Sequence, residues 1–532
     1  MEVFLGIDLG TTTTLVASAI ESEKGSVTVK VLPIRQNDGR GGQLEIQYLP
    51  SVAYFPPDAP PLVGKEAETR GPEEDVSRFV RAVKRQMGRR LLLPVVEKEP
   101  HEVSALYLAY ALREGRYSLP MADTVFTVTV PASFTTNQRA DTLKALRQAC
   151  DEAEISYPIK DEGQLFISEP VAAALAFLNQ EFARPEPVRR LDLSQHNRVL
   201  VYDIGGGTLD LTLVFIQPQS DRVQSLADVR INVDTISYYN PFGGEDFDRA
   251  VAQQLHQRLM ERFPNLKDMA LTSEQRLGVR LQLMNMAKRL KEELSEQMEE
   301  ESDLGFLELD AEEPSQYYQG EIRIQGTPYS LEGEMTASEY RAIVADLLKG
   351  VSRKSLLTPL KDLLEKTGFD SVRLDGLLVV GGMARLPLVA ETLREFWGND
   401  RVWVYVPPDH AVVTGAAIYS YLRRRYPGYI LDEPAADAYY VRLKDRFDLI
   451  LPAREKEGEQ KCYELANEAD YLPLQIFAGE DSPHGRVADE VLPTLIHQGG
   501  TSIHFDKPYP RGTPVWVQMS YEGDPGDQDR SK

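Results

Sequence analysis

Apolar and polar positions along the chain repeat one arrangement twice. In residues 198–215, RVLVYDIGGGTLDLTLVF, an apolar run (Val199, Leu200, Val201) meets a lone acid at Asp203 and turns at Gly205-Gly206-Gly207-Thr208. It then alternates, with Leu209, Leu211, Leu213 and Phe215 on one side and Asp210 and Thr212 on the other. An apolar run and a period of two about a glycine turn predict a β-hairpin. Three glycines cost backbone entropy, so such a turn is kept where the backbone approaches something closely. Its free N–H groups predict a nest for phosphate oxygens, Thr208 adds a hydroxyl donor, and Asp203 faces a metal ion or its waters. An ordinary hairpin with a buried aspartate explains one such copy equally well. Residues 4–19, FLGIDLGTTTTLVASA, supply a second, in which Asp8, Gly10 and a run of threonines stand in the same order. Two copies predict two lobes facing one nucleotide, with a carboxylate from each beside the metal.

Between and after the hairpins the pattern predicts alternating strands and helices. Residues 27–34 and 52–55 read as strands and 57–61 as a loop. Residues 73–90 place Val76, Phe79, Val80, Val83 and Met87 on one helical face, closed by Lys84, Arg85, Arg89 and Arg90 as helix-end cations. A helix over 102–113, a strand over 124–134 and a helix over 135–153 follow. An alanine-rich helix over 167–178 is entered through Pro170, with Glu169 as a cap or turn residue. Residues 184–197 read as a surface loop. Gly243-Gly244 opens a helix whose first turn carries Glu245, Asp246 and Asp248, acids that suit the helix dipole. A charge-rich helix over 274–301, strands at 305–309 and 321–325 and a helix from Thr336 come next. Residues 373–397 form a strand, a Gly381-Gly382 turn and a helix, a unit that aims N–H groups at a ligand. A last helix lies within 407–425. Residues 1–425 are thus an α/β region of two duplicated lobes.

The character changes after Arg425. Residues 426–436 read as a linker, and 437–524 as a small all-β domain of short alternating stretches (YVRL, FDLIL, PLQIF, SIHF, VWVQMSY). Residues 525–532 read as a disordered tail.

Composition narrows the function. A length of 532 residues allows two to four domains, and the net charge of −23 argues against nucleic-acid binding and against an anionic membrane surface. Cys150 and Cys462 lie far apart in no ligand motif, which fits a reducing compartment. Strand pattern begins at Val3 and no apolar run reaches spanning length, so neither a signal peptide nor a membrane helix is expected and a cytoplasmic location is.

The segments GIDLGTT, VKRQMGRR, VTVPASFTTNQR, ISEPVAAALAF, VYDIGGGTLD, FGGEDFD, VVGGMARLP and PPDHAVVTGAA resemble, in order, the motifs of the 70-kDa heat-shock protein (Hsp70, DnaK-like) nucleotide-binding domain. The resemblance implies an actin-like (ribonuclease H-like, duplicated) ATPase fold over nearly all of residues 1–425. It implies that Gly10, Thr11, Thr12 and Thr13 hold phosphates from the first lobe and Gly205, Gly206, Gly207 and Thr208 from the second. Asp8, Glu169 and Asp203 would organise Mg²⁺ through its waters. Lys84 falls on the catalytic lysine that positions the attacking water, and Glu169, Asp203 and Thr208 complete that set. Gly243, Gly244, Glu245, Lys288, Lys291, Ser295, Gly381, Gly382, Arg385 and Asp409 fall on the nucleotide-contacting segments, and Pro131 and Arg139 on the relay toward the partner domain. The implied ligands are ATP and ADP with Mg²⁺, and K⁺ as a further candidate ion.

Departures from the family pattern bear on function. Lys288 stands where the family usually has glutamate, which predicts a weaker ribose contact. The leucine-rich interdomain linker is reduced to YILDE (429–433), and FDKPYPRGTPVWVQMSYEGD (505–524) resembles the family's late β-domain segment with no helical lid expected after it.

The leading expectation is a slow Mg²⁺-dependent ATPase of chaperone type, whose nucleotide state modulates polypeptide binding by a minimal β-domain. A J-domain-type co-chaperone and a nucleotide exchange factor are the partners implied, and a monomer is expected. The alternative is a nucleotide-gated regulator or scaffold with one specific partner. A small-molecule kinase on the same fold is a weaker third, because no substrate carboxylate base is identifiable.

Overall fold

A computed structural model describes residues 2–21, 27–89, 92–116, 123–155, 165–220, 222–236, 240–304, 313–352, 354–367, 374–426, 429, 438–442, 446–451, 460–465, 468–479, 486–488 and 496–519. Two five-strand runs of identical topology organise them. In the first, Phe166–Ser168, Asp123–Val130, Glu2–Leu9, Thr13–Glu21 and Val27–Val31 lie side by side, with Leu49–Pro50 pairing to Thr13 and Thr14. In the second the order is Val402–Val404, Gly376–Val380, Asn197–Ile204, Leu209–Pro218 and Val229–Ile236. Each hairpin pairs antiparallel inside its sheet, and its first strand takes a parallel neighbour on the other side. The register repeats too: Asp8 sits opposite Leu15 as Asp203 sits opposite Asp210. The duplication read from two sequence patterns is therefore a duplication of topology.

Parallel strands buried on both faces need continuous apolar runs. Leu200, Tyr202 and Ile204 face a core with the helices Gly244–Arg262, Ser273–Leu304, Ala337–Lys349, Leu357–Thr367 and Pro387–Trp397. Val199 and Val201 face the opposite way, into a core shared with Phe4, Leu15 and Ala17 of the first sheet. The helices Glu169–Ala183 and Ala411–Arg425 fill the space between the sheets there, and they place Glu169 at the head of a buried, alanine-rich helix. A third core joins the outer face of the first sheet to the helices Pro100–Arg116 and Thr136–Glu152. Thr135 and Gln138 cap the second of these reciprocally.

One predicted element is wrong. Residues 75–89 are not an α-helix. The helix is Gly64–Glu74, and Asp75 then caps a 3-10 turn over Val76–Arg78 by accepting from the Ser77 N–H. Phe79–Arg81 is a strand against Val52–Tyr54, and Val83–Gln86 is a second 3-10 turn. Val83 and Met87 are buried as a helix would bury them, but a strand between two tight turns meets the same apolar spacing. The strand at 321–325 is part of a longer hairpin, Ser315–Ile324 with Thr327–Thr336, and Thr336 caps the helix after it. The strand expected at 305–309 and nearly all of the linker lie outside the described residues.

Beyond Arg425 the described residues form antiparallel strands. Arg486–Ala488, Arg446–Leu451, Ala438–Arg442, Ala469–Gly479 and Ile496–Tyr509 lie in that order, and Lys461–Glu464 pairs with Pro514–Val517. Val441, Ile450, Tyr463, Leu474 and Val517 form a small buried cluster. Among the described residues no helix is long and apolar enough to cross a membrane.

Candidate functional site

The two hairpin turns meet at one cleft. A Cβ built on Gly206 would lie 2.5 Å from the Thr12 hydroxyl, so the second turn presses directly on the first. In the first turn, Gly10 N–H donates to the Thr13 carbonyl (3.0 Å) and Ser51 N–H to the Thr12 carbonyl (2.9 Å). In the second, Gly205 N–H donates to the Thr208 carbonyl (2.9 Å). The N–H groups of Thr11, Thr12, Gly206, Gly207 and Thr208 have no partner among the described residues. Donors without such partners on two tight turns that touch are the chemistry of an anion-binding concavity.

Gly243, Gly244 and Glu245 stand behind the second turn. Gly244 N–H donates to the Gly205 carbonyl (3.1 Å) and Glu245 N–H to the Gly206 carbonyl (2.6 Å), while Gly243 N–H is capped by Asp246. A Cβ at 243 would lie 2.8 Å from the Gly207 nitrogen, so only glycine leaves that donor uncovered. The Gly244 and Glu245 donors are spent on supporting the turn.

Carboxylates gather below the turns. Lys84, 4% exposed, donates to Glu169 Oε1 at 2.5 Å and lies 5.6 Å from the Phe134 ring centre. Phe134 N–H donates to the Pro131 carbonyl, and Gly88 N–H to Asp141 on the helix that carries Arg139, which ties the Lys84 loop to that helix. Asp8 accepts from the Thr129 hydroxyl at 2.9 Å. Desolvation, then the Glu169 charge, raises its carboxyl to about 6 against the pull of Lys84 and Thr129. Asp203 is pushed well above the usual carboxylate range by desolvation, then by Glu169, Asp210 and Asp8. The cluster is short of positive charge. Its donors are hard oxygens, the chemistry of a divalent cation such as Mg²⁺. Among the described residues no group of three or more such side chains stands close enough to hold an ion by itself.

On the second lobe's side, Ser295 Oγ donates to the Arg385 carbonyl (3.0 Å) and the Arg385 guanidinium pairs with Asp409 (2.7 Å). Gly381, in a left-handed conformation (φ 91°), donates to the Pro408 carbonyl, and Gly382 opens the turn Gly382–Arg385. Lys291 pairs with Asp248 at 2.7 Å.

Lys288 reaches elsewhere. It donates to Glu68 of the first lobe at 3.2 Å, beside Lys65 at 2.8 Å, and Asn285 donates to the Glu68 carbonyl at 3.0 Å. Arg81 of the first lobe likewise pairs with Glu245 of the second. Lys288 thus forms a tie between the lobes. Burial disfavours charge at Lys288, yet Glu68 and then Glu292 raise its pKa well above the usual lysine range. At Glu68 burial acts upward, but Lys288 and Lys65 outweigh it and carry the carboxyl down to about 2. A depressed carboxyl contributes stability that is whole above its unfolded pKa and is lost as pH falls through the folded one. The contribution of Glu68 is expected to hold from about pH 7 to 5 and to vanish between about 4.5 and 2. Melting wild type and Glu68→Gln across pH checks this: the gap in Tm stays constant down to about pH 5 and narrows below. A gap that closes nearer neutrality contradicts it.

Sequence reasoning missed Glu68 and Arg85. Glu68 lies in a helix that no periodicity announced, 220 residues from its partner. Arg85 was read as a helix-end cation, but its Nη2 donates to the Gly207 carbonyl at 2.7 Å.

A family model described as Hsp70 protein matches residues 99–425. The chain belongs to the Hsp70 family. Among curated Hsp70 relatives, the chaperone proteins DnaK of Thermotoga neapolitana and Thermotoga maritima are each 30% identical over 422 residues, covering 78% of this chain and 59% of the relative. DnaK of Thermosipho africanus is 29% identical over 419 residues, covering 78% and 58%. The chain spans less than two thirds of the length of these Hsp70 relatives.

Proposed function

We propose that this chain is a slow, Mg²⁺-dependent ATPase of chaperone type, working in the cytoplasm. In this reading residues 1–425 are its nucleotide-binding domain. Residues 437–524, reached through the 426–436 linker, are a small all-β domain that binds extended polypeptide in a way set by the nucleotide. Hsp70 family members are ATPases and bind ATP or ADP with Mg²⁺. The observation that carries the reading is the set of five unpaired N–H groups, at Thr11, Thr12, Gly206, Gly207 and Thr208, above one acidic cluster.

Phosphoryl transfer needs little covalent help from protein, mainly positioning and charge stabilisation. The backbone donors hold the β- and γ-phosphates, and the Thr208 hydroxyl adds another. Asp8, Glu169 and Asp203 would hold Mg²⁺ through its waters, and the ion would supply neutralising charge for the phosphates. Lys84, fixed by Glu169 and Phe134, donates to the oxygen of the attacking water and orients it. Lys291, Ser295, Gly382 and Arg385 flank the adenosine. The antiparallel strands offer an edge or groove for an extended peptide. A J-domain protein and an exchange factor are the partners this reading implies.

The cross-lobe pairs Lys288–Glu68 and Arg81–Glu245 favour a second reading of the same ATPase, as a nucleotide-gated regulator with one partner. Pairs that close the cleft slow nucleotide exchange, which suits a long-lived switch. Fluorescence anisotropy of a labelled apolar peptide, with Mg-ADP and with Mg-ATP, separates the two. Peptide binding that weakens when ATP replaces ADP is expected. Saturable ATP binding with no peptide binding in either state points to the regulator, and absence of both overturns the reading.

A further inference from the structure

Three consecutive carbonyls of the second turn are anchored, and the third anchor comes from the opposite lobe. Gly205 and Gly206 are held by N–H groups of Gly244 and Glu245 in their own lobe, Gly207 by the Arg85 guanidinium of the first. In a planar trans peptide the carbonyl and the following N–H point in opposite directions. Each anchor therefore fixes the direction of the next donor, and these donors are the unpaired N–H groups of Gly206, Gly207 and Thr208.

We propose that Arg85 is a positioning residue that sets the Thr208 N–H, so that the phosphate-binding turn is complete only when the two lobes have closed. This rests on the ATPase reading above. Ala82, left-handed at φ 54°, starts the 3-10 turn Val83–Gln86, from which adjacent residues leave for different lobes. Lys84 goes to Glu169 of the first lobe and Arg85 to Gly207 of the second. The guanidinium lies against the turn, since a Cβ on Gly207 would sit 2.0 Å from Nη2. Its Nε is buried without a partner, so the group keeps a further donor beside the cleft.

Two simpler roles give different results. A cation that merely attracts phosphate would be replaced by lysine, which keeps the charge but not the planar fork. A mere tie between lobes would, when cut, weaken every nucleoside alike. The experiment is calorimetry of adenosine, Mg-ADP and Mg-ATP on wild type, Arg85→Ala and Arg85→Lys. Losing a charge-assisted hydrogen bond is expected to weaken ADP and ATP about tenfold or more in both variants. Adenosine affinity stays within about twofold of wild type, because the proposed reading sets the adenosine beside Lys291, Ser295 and Arg385 and only the phosphates on the turn. Wild-type ATP affinity in Arg85→Lys, equal losses for adenosine and ATP, or no loss in Arg85→Ala each overturns the proposal alone. A wild type that binds no Mg-ATP overturns the ATPase reading and this inference with it.

Discussion

Lys84→Ala is expected to slow single-turnover ATP hydrolysis by roughly 10²–10³-fold, the usual cost of removing one preorganised donor from a reacting centre. Nucleotide affinity should change only a few-fold, because the proposed phosphate contacts are mainly backbone N–H groups of the two turns. Lys84 is 4% exposed and fixed between Glu169 and the Phe134 ring, so its ammonium loses little freedom when the reaction begins. Rapid-quench measurement with radiolabelled ATP gives the rate and calorimetry gives the affinity. Lys84→Met keeps the volume and separates lost charge from a cavity in the melts. Equal losses in rate and affinity would make Lys84 a binding residue instead.

The second large effect is expected at the tie between the lobes. Lys288→Glu should speed release of Mg-ADP by roughly 10²-fold or more, since breaking a buried pair by losing one partner costs about 3–5 kcal/mol and partial exposure here leaves part of that. The side chains of Lys288 and Glu68 are 25% and 19% exposed. The substitution sets two carboxylates against each other where the lobes meet. The reciprocal change, Glu68→Lys with Lys288→Glu, restores an opposite pair and should recover part of the slow release. Lys65, already beside Glu68, limits that recovery. Stopped-flow release of a fluorescent ADP decides it; unchanged release in Lys288→Glu would mean that the pair does not hold the cleft. The sequence-based expectation at the same position concerns affinity, with Lys288→Glu binding nucleotide more tightly than wild type, and calorimetry on both proteins tests it.

The hairpins and the tie between the lobes differ in how far a sequence carries them. The hairpins at Asp8 and Asp203 were legible because alternation, a glycine turn and an acid all fall within some twelve residues, and because the arrangement occurs twice. The helix starts expected near 135 and Thr336 were local too. The helix Gly64–Glu74 was not legible: it buries Gly64, Ala67, Gly71 and Pro72, which make no apolar stripe. Without that helix Glu68 had no place, and Lys288 had no partner. The stretch from Val76 to Met87 misled for the converse reason, since strand and 3-10 turns reproduced a helical spacing. Arg85 could be assigned only once that stretch was known to bend at Ala82 and cross the cleft.

The central claim is that two duplicated turns and the acidic cleft below them hold ATP for hydrolysis. It is tested most directly by mixing the full chain with an equal amount of radiolabelled ATP and following ADP formation in a single turnover. The account predicts complete conversion in the presence of Mg²⁺, none above background in EDTA, and a slowed reaction with Lys84→Ala. ATP that survives with the wild-type chain as long as it does in buffer would contradict it.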